Sequence, residues 1–344
     1  MKDFPVDELK EWFGEHARVL PFRQGRTPYR VWISEVMLQQ TQALVVIPYF
    51  ERWMEAFPTV EALAVAPIEK VLKIWEGLGY YSRARNLHKG AKQIVAMGGF
   101  PEDPTEIVGI GPYTAGAIRS FAFHKKAAAV DGNVLRVLAR FTGEEGEIDR
   151  PAVQKKLRLL AESILPDEES WVVSEALIEL GALVCQKKAA CSRCPLKRGC
   201  VALREGLDLP RRRPREKAVL LERTVGVIVH DDKILLRRGE EGKVMADLFE
   251  FPYIEGKRCW SAFADLGLEL EYLAKLPLQK HTFTKYRVTL YPHLLRAKTS
   301  NIEGWKKRGE LGKLPFSSGH KRIYENLTHG EFARLGWSRD AHLA

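Results

Sequence analysis

Cysteine is scarce in this chain: five in 344 residues, four of them between positions 185 and 200. That distribution argues against a scaffold stapled by disulfides along its length. Long apolar runs are missing too, and none approaches the roughly 20 residues that a membrane-spanning helix needs. The opening residues, Met1-Lys2-Asp3-Phe4-Pro5-Val6-Asp7-Glu8, carry charge and no apolar core. No secretory signal is therefore expected, and a cytoplasmic protein with reduced thiols is. No internal repeat is present. What the chain does have is a basic surplus, 54 Lys and Arg against 44 Asp and Glu, for a formal charge of +10. Such a surplus attracts polyanions without choosing between DNA, RNA and an anionic membrane. Apolar residues make up 45% and charged residues 28%, which supports folded cores over a length suited to two domains.

The four clustered cysteines, Cys185, Cys191, Cys194 and Cys200, follow the spacing C-x5-C-x2-C-x5-C. Four thiolates in sixteen residues can wrap one metal centre, and either a cubane iron–sulfur cluster or a zinc ion satisfies them. Lys187, Lys188, Arg193, Lys197 and Arg198 lie among them. Their charge suits a surface that meets phosphate. Cys259 stands apart and reads as a structural thiol.

Two halves differ in pattern. Residues 6 to about 205 read as helices, with apolar spacings of three and four over 28–42, 44–56, 59–66, 68–76, 84–97, 151–164 and 171–184. Leu207 to Arg215 then holds two prolines and four arginines, which predicts a linker over 207–220. Beyond it, 224–229 and 233–236 flank an Asp231-Asp232 turn and predict a hairpin, and 281–296 reads as strand. A late helix is expected over 318–327, capped by Ser317 or Ser318. The expected fold is a mainly α first domain with a metal-cluster loop, then a smaller α+β domain from 221 onward.

Three local features bear chemistry. Gly109-Ile110-Gly111-Pro112-Tyr113 offers a tight turn at a helix start, where outward backbone N–H groups and the helix dipole favour a phosphate. Glu35, taken as helical, has Val31, Trp32, Leu38 and Gln39 as its surface neighbours, a largely apolar setting that would raise its pKa and make it a general acid. Asp131, before Gly132 and the run Asn133 to Arg140, predicts an N-cap whose pKa is lowered by backbone N–H groups. The pattern also admits a solvated Glu35 and an Asp131 that is a cap alone. An acid beside an anion is nevertheless what glycosidic bond cleavage requires.

Three segments, Ser34-Glu35-Val36-Met37-Leu38-Gln39-Gln40-Thr41-Gln42, Trp75 to Leu87 (WEGLGYYSRARNL) and Val130-Asp131-Gly132-Asn133-Val134, resemble the MutY-type adenine DNA glycosylases of the helix-hairpin-helix superfamily. The resemblance runs from about residue 5 to 205 and more loosely to about 330. It implies a DNA N-glycosylase that removes adenine opposite 8-oxoguanine or guanine, acting as a monomer on duplex DNA and carrying a [4Fe-4S] cluster on the four cysteines. It implies Glu35 as the acid and Asp131 as the anion that stabilises an oxocarbenium ion, with Asn133 in support. Tyr113 stands where bifunctional relatives of endonuclease III type have a lysine nucleophile, so no Schiff base is expected. Tyr80 is implied as a wedge in the base stack, and Gln40, Thr41 and Leu78 as contacts to 8-oxoguanine. Arg23 and Glu175 are implied in the adenine pocket, and Gly109 and Gly111 in the phosphate grip.

Some positions depart from that pattern. The first two cysteines are one residue closer than usual. Val108 replaces a proline, and the short segment before it predicts a shortened first hairpin helix. In the Nudix-like second domain, Phe283-Thr284-Lys285 stands where Phe-Ser-His is common, with Thr284 retaining a hydroxyl for the modified base. The acidic magnesium box of Nudix hydrolases is missing, so the domain is expected to recognise and not to hydrolyse.

Overall fold

The computed structural model describes residues 4–214, 216–240 and 242–329. The chain divides into two compact units that interleave in sequence. One runs to Val65 and resumes from Asn86 to the linker; the other combines Ala66–Arg85 with the chain from Glu216 onward.

Among the described residues, eleven helices precede the linker: α1 Val6–His16, α2 Pro28–Leu38, α3 Ala43–Ala56, α4 Val60–Val65, α5 Ile68–Trp75, α6 Ser82–Ala96, α7 Pro112–Ala117, α8 Gly132–Thr142, α9 Pro151–Ile164, α10 Ser170–Leu183 and α11 Val201–Glu205. Most lie within two residues of the expected ranges, and α9 coincides with its range. The exception is α2. It stops at Leu38 instead of continuing to 42, because Gln40 takes a left-handed φ of 58° that no helix accommodates. The segment before the hairpin forms only a short 3-10 turn, Pro104–Glu106, as its shortness predicted.

The first core forms where α8 meets its neighbours. Val134, Leu135 and Leu138 repeat at three- and four-residue spacing and pack with Leu9, Phe13, Leu157, Val173, Leu177 and Leu180. Asp131 caps α8 and Gly143, with φ 70°, closes it by donating to the Ala139 carbonyl. The described residues of the linker hold no helix, yet they are not a free tether. Ile148 N donates to Arg211 O at 3.0 Å, Arg140 Nε donates to Leu209 O at 2.6 Å, and Arg212 pairs with Asp149 at 3.0 Å. Its arginines find acidic partners in the 144–150 loop, a complementarity that charge counting along the linker alone does not reveal.

The described residues of the second unit form nine strands, β1 Val219–His230, β2 Lys233–Leu235, β3 Arg237–Arg238, β4 Phe249–Glu250, β5 Tyr253–Glu255, β6 Leu270–Lys275, β7 Gln279–Phe283, β8 Tyr286–Ala297 and β9 Trp305–Lys307, followed by α12 Ser318–His329. The main sheet has the order β6-β8-β1-β2-β9, with β5 also on β1 and β7 on β8; β3 and β4 pair separately. The expected hairpin is β1–β2, antiparallel with Val229 opposite Ile234. β1 and β8 run parallel from Val219↔Tyr286 to Val229↔Arg296. Both faces of β1 are covered: Val225, Val227 and Val229 pack with Ile323 and Leu327 of α12, and Ile228 packs with Phe263 and Leu295. Both serines at the start of α12 have side-chain partners on the strands. Ser317 Oγ donates to Glu250 Oε1 at 2.9 Å, and Ser318 Oγ lies 3.4 Å from His281 Nδ1.

Residues 66–85 belong to this second unit although their sequence position suggests the first. Lys73 Nζ donates to Leu314 O at 3.0 Å, Tyr81 Oη to Phe316 O at 3.2 Å, and Arg85 Nη1 to Ala246 O at 2.8 Å.

Candidate active site and cysteine loop

A cavity of about 1110 Å³ opens in the first unit, and Glu35, Tyr113, Asp131, Asn133, Arg23 and Glu175 all line it. Six residues scattered from 23 to 175 thus meet in one place. Glu35 is carried by α2, which begins at Pro28 with the Thr27 hydroxyl accepting from Arg30 N at 3.2 Å. The glutamate is only 7% exposed. Burial lifts its pKa to about 7, the charges of Asp131 and Glu175 push the same way, and the Tyr113 hydrogen bond and Arg23 oppose. Tyr113, in the first turn of α7, donates its phenol to Glu35 Oε2.

Asp131 meets three donors. Its Oδ1 accepts from Asn133 N at 2.8 Å and Val134 N at 2.9 Å, and its Oδ2 accepts from Asn133 Nδ2 at 2.6 Å. The expected lowering of its pKa is overturned: burial raises it, outweighing these bonds. Three N–H donors oppose that rise at Asp131, whereas Glu35, with one phenol donor, is carried up to about 7. Asn133 in turn accepts from Arg136 Nη2 at 2.8 Å, and Arg136 Nε donates to Cys185 O at 2.7 Å. Gly181 of α10 makes room for this arrangement, since a Cβ there would sit 2.5 Å from Asn133 Cβ.

Arg23 and Glu175 are joined directly, Nε to Oε1 at 2.7 Å. The network around them was not visible in the sequence. Arg26 Nη2 donates to Glu175 Oε2 at 2.6 Å, and Glu179, fully buried, accepts from Arg18 Nε at 2.7 Å and Arg23 Nη2 at 2.9 Å. Burial opposes ionisation of Glu179, but the two arginines prevail and hold its pKa at about 2. The i, i+4 spacing of Glu175 and Glu179 on α10 was the available signal, with three arginines between 18 and 26 as partners.

Gln40 is exposed and Thr41 half-buried at the cavity rim, where Thr41 Oγ1 donates to Gln39 O at 3.4 Å. Gly109 (φ 82°) packs against Asn86, where a Cβ would lie 2.7 Å from the Asn86 Cβ; Gly111 caps α7. Both are exposed. In the second unit, Tyr80 is 47% exposed and Leu78 is buried at 7%. The turn carrying them uses positive φ at Gly77, Gly79 and Tyr80, and Trp75 Nε1 donates to Gly79 O at 2.9 Å. Thr284, also exposed, occupies the two-residue turn between β7 and β8 with φ 46°.

The four cysteines are gathered after α10. Their charges act on one another: burial first, then Cys185, Cys200 and Cys191, lifts the Cys194 thiol to about 11, against a Leu196 N–H bond. Backbone N–H groups of Leu203 and Ala202 reach Cys200, and Arg140 Nη1 approaches Cys185 Sγ at 3.3 Å. Four soft thiol donors with peptide N–H bonds to sulfur suit an iron–sulfur cluster. Among the described residues, no group of three or more His, Cys, Asp or Glu is placed to hold a single metal ion. No helix among them is long and apolar enough to cross a membrane.

Residues 33–162 match the HhH-GPD superfamily of base excision DNA repair proteins, and 224–326 match the NUDIX domain. The chain is 35% identical over 341 residues to the adenine DNA glycosylase of Buchnera aphidicola subsp. Acyrthosiphon pisum, covering 94% of this chain and 92% of that one. It is 40% identical over 209 residues to the human adenine DNA glycosylase, covering 56% of this chain and 38% of that one. Among solved structures, a thermostable thymine-DNA glycosylase superposes with a TM-score of 0.54 at 26% identity, over 58% of this chain and 95% of that one. An endonuclease III–DNA covalent intermediate gives 0.51 at 25%, over 59% and 95%. The chain belongs to the adenine DNA glycosylase family.

Proposed function

We propose that this protein is a DNA N-glycosylase of base-excision repair that hydrolyses the N-glycosidic bond of adenine opposite 8-oxoguanine or guanine in duplex DNA. One observation carries the reading: a buried carboxylic acid with pKa about 7 and a carboxylate held by three N–H donors share one cavity. Protonated Glu35 donates to the departing adenine, because a glutamic acid with pKa near neutrality both holds and releases a proton at working pH. Tyr113 occupies Oε2, so the transferable proton sits on Oε1. Asp131 faces the positive charge that develops at the sugar, and Asn133 fixes its orientation. The arginine-paired Glu175 at the wall supplies fixed polar contacts for the base.

Access to the sugar carbon requires the nucleotide to leave the stack, at a cost of a few kcal/mol. The exposed Tyr80 is a wedge that offsets that cost, while Gln40, Thr41, Leu78 and Thr284 attend to the opposite base. Gly109 and Gly111 offer backbone N–H groups to a phosphate, a grip indifferent to sequence. The cysteine loop is read as the seat of a [4Fe-4S] cluster held by Cys185, Cys191, Cys194 and Cys200. When bound, that cluster staples the loop and adds no step to base release. Zinc is the alternative, since four thiolates also satisfy a tetrahedral ion. The as-purified absorption spectrum decides between them.

The test is single-turnover release from a duplex with adenine opposite 8-oxoguanine, developed with and without hot alkali. Breaks that need alkali support a monofunctional glycosylase, as a phenol at position 113 requires. Breaks without alkali favour an endonuclease III-like lyase, and no release of adenine overturns the reading.

A further inference from the structure

Glu76 stands directly before the Gly77-Leu78-Gly79-Tyr80 turn, at the end of α5, and only 8% of it is exposed. A carboxylate so buried needs compensation, and it has three donors from its own unit. Phe316 N donates to Oε1 at 2.9 Å; Lys73 Nζ and Lys321 Nζ lie 2.9 and 2.8 Å from Oε2. Phe316 also accepts from the Tyr81 hydroxyl at 3.2 Å, so the connector into α12 is tied to both sides of the turn.

The same connector reaches the other turn of interest. Ser317 Oγ donates to Glu250, and Ser318 Oγ lies 3.4 Å from His281 Nδ1. Gly319 is open for the His281 ring, because a Cβ there would stand 2.7 Å from its Cδ2. His281 is on β7, its ring 5.6 Å from that of Phe283, and Phe283 leads into Thr284. An unbroken series of contacts thus runs from the Tyr80 turn through Glu76 and residues 316–319 to the Thr284 turn.

We propose that Glu76 is a positioning residue that holds the Tyr80 turn in register with the Thr284 turn, and so sets how strongly adenine release depends on oxidation of the opposite base. The proposal rests on the reading of Tyr80 and Thr284 given above. Glu76 touches neither DNA nor the reacting atoms in this scheme; it acts through the two turns. Charge matters as well as shape, because the two lysines require the anion while Phe316 N needs only an acceptor.

The test measures single-turnover release from adenine opposite 8-oxoguanine and opposite guanine for the full chain, Glu76→Gln and Lys321→Met, with thermal unfolding beside it. Glu76→Gln is expected to cut the 8-oxoguanine to guanine rate ratio about tenfold, the scale of coupling within one hydrogen-bond network. Lys321→Met is expected to move the ratio the same way. Equal slowing on both duplexes, or an unchanged ratio, overturns the proposal and leaves Glu76 a stabilising residue only. Should Glu76→Gln fail to fold, Lys321→Met decides alone, since Lys321 is 34% exposed and its loss removes one partner. A wild-type chain that releases adenine from neither duplex sinks the glycosylase reading itself, and this proposal with it.

Discussion

Tyr113 donates its phenolic hydrogen to Glu35 Oε2, although 78 positions separate the two residues. The bond does two things at once. It fixes the carboxyl in the cavity wall, and it pulls the glutamate's pKa down against the stronger effect of burial, leaving it at about 7. A residue expected to matter because it is not lysine is therefore also a tuner of the acid.

The proton on Glu35 gives a pH signature. In the proposed reaction, release of adenine draws on protonated Glu35, so the single-turnover rate should fall about tenfold per unit above pH ~7. Tyr113→Phe removes a bond that favours the anion, which should move this limb to higher pH. Rates measured from about pH 5.5 to 9 check both; a limb that ignores the substitution would contradict the assignment.

Gly181 is a second lever. Its Cβ in Gly181→Ala would lie 2.5 Å from Asn133 Cβ and 3.0 Å from Asn133 Cα and O, all at the start of α8. Backbone must shift, and Asp131 shifts with it. Base release is expected to drop at least tenfold with a lowered Tm, while DNA binding is retained. Normal catalysis by the alanine variant would show that the α8 terminus tolerates displacement.

Glu179 should mark the acid limit of stability. Its ordinary pKa of 4.5 is held at about 2 in the fold, so its contribution is complete above pH ~4.5 and is lost as pH falls toward 2. Between pH 5 and 3 the wild type should lose more stability in urea unfolding than Glu179→Gln does. Parallel losses would mean that the arginine pairs contribute no pH-dependent term.

Thr284 carries backbone strain. A β-branched residue at φ 46° costs on the order of 1 kcal/mol or more, which asparagine largely avoids. Thr284→Asn should raise Tm by a few degrees and weaken the preference for 8-oxoguanine over guanine. A variant that is less stable than wild type would refute the strain.

Local signals carried well from sequence to structure. Asp131 was legible as a cap because a cap is decided within four residues, and α9 was legible because its apolar spacing is regular. Partners far apart were not. Nothing near Glu35 announces Tyr113, and nothing near Glu179 announces Arg18. The direction of the Asp131 shift was misjudged for the same reason: its N–H donors are local, whereas its desolvation comes from a cavity wall assembled from six distant segments. Gln40 failed differently, since a left-handed residue at a helix end leaves no mark when the residue is not glycine.

The interleaving of the two units has a bearing on how the chain matures. Residues 66–85 leave the ribosome early, yet Glu76 waits for Phe316, 240 positions behind it. Closing so long a loop is slow, and it comes late. Until then a carboxylate destined for burial has Lys73 alone as a partner from its own stretch of chain. A fragment ended at the linker would keep that deficit permanently, so cleavage there does not yield two self-sufficient halves.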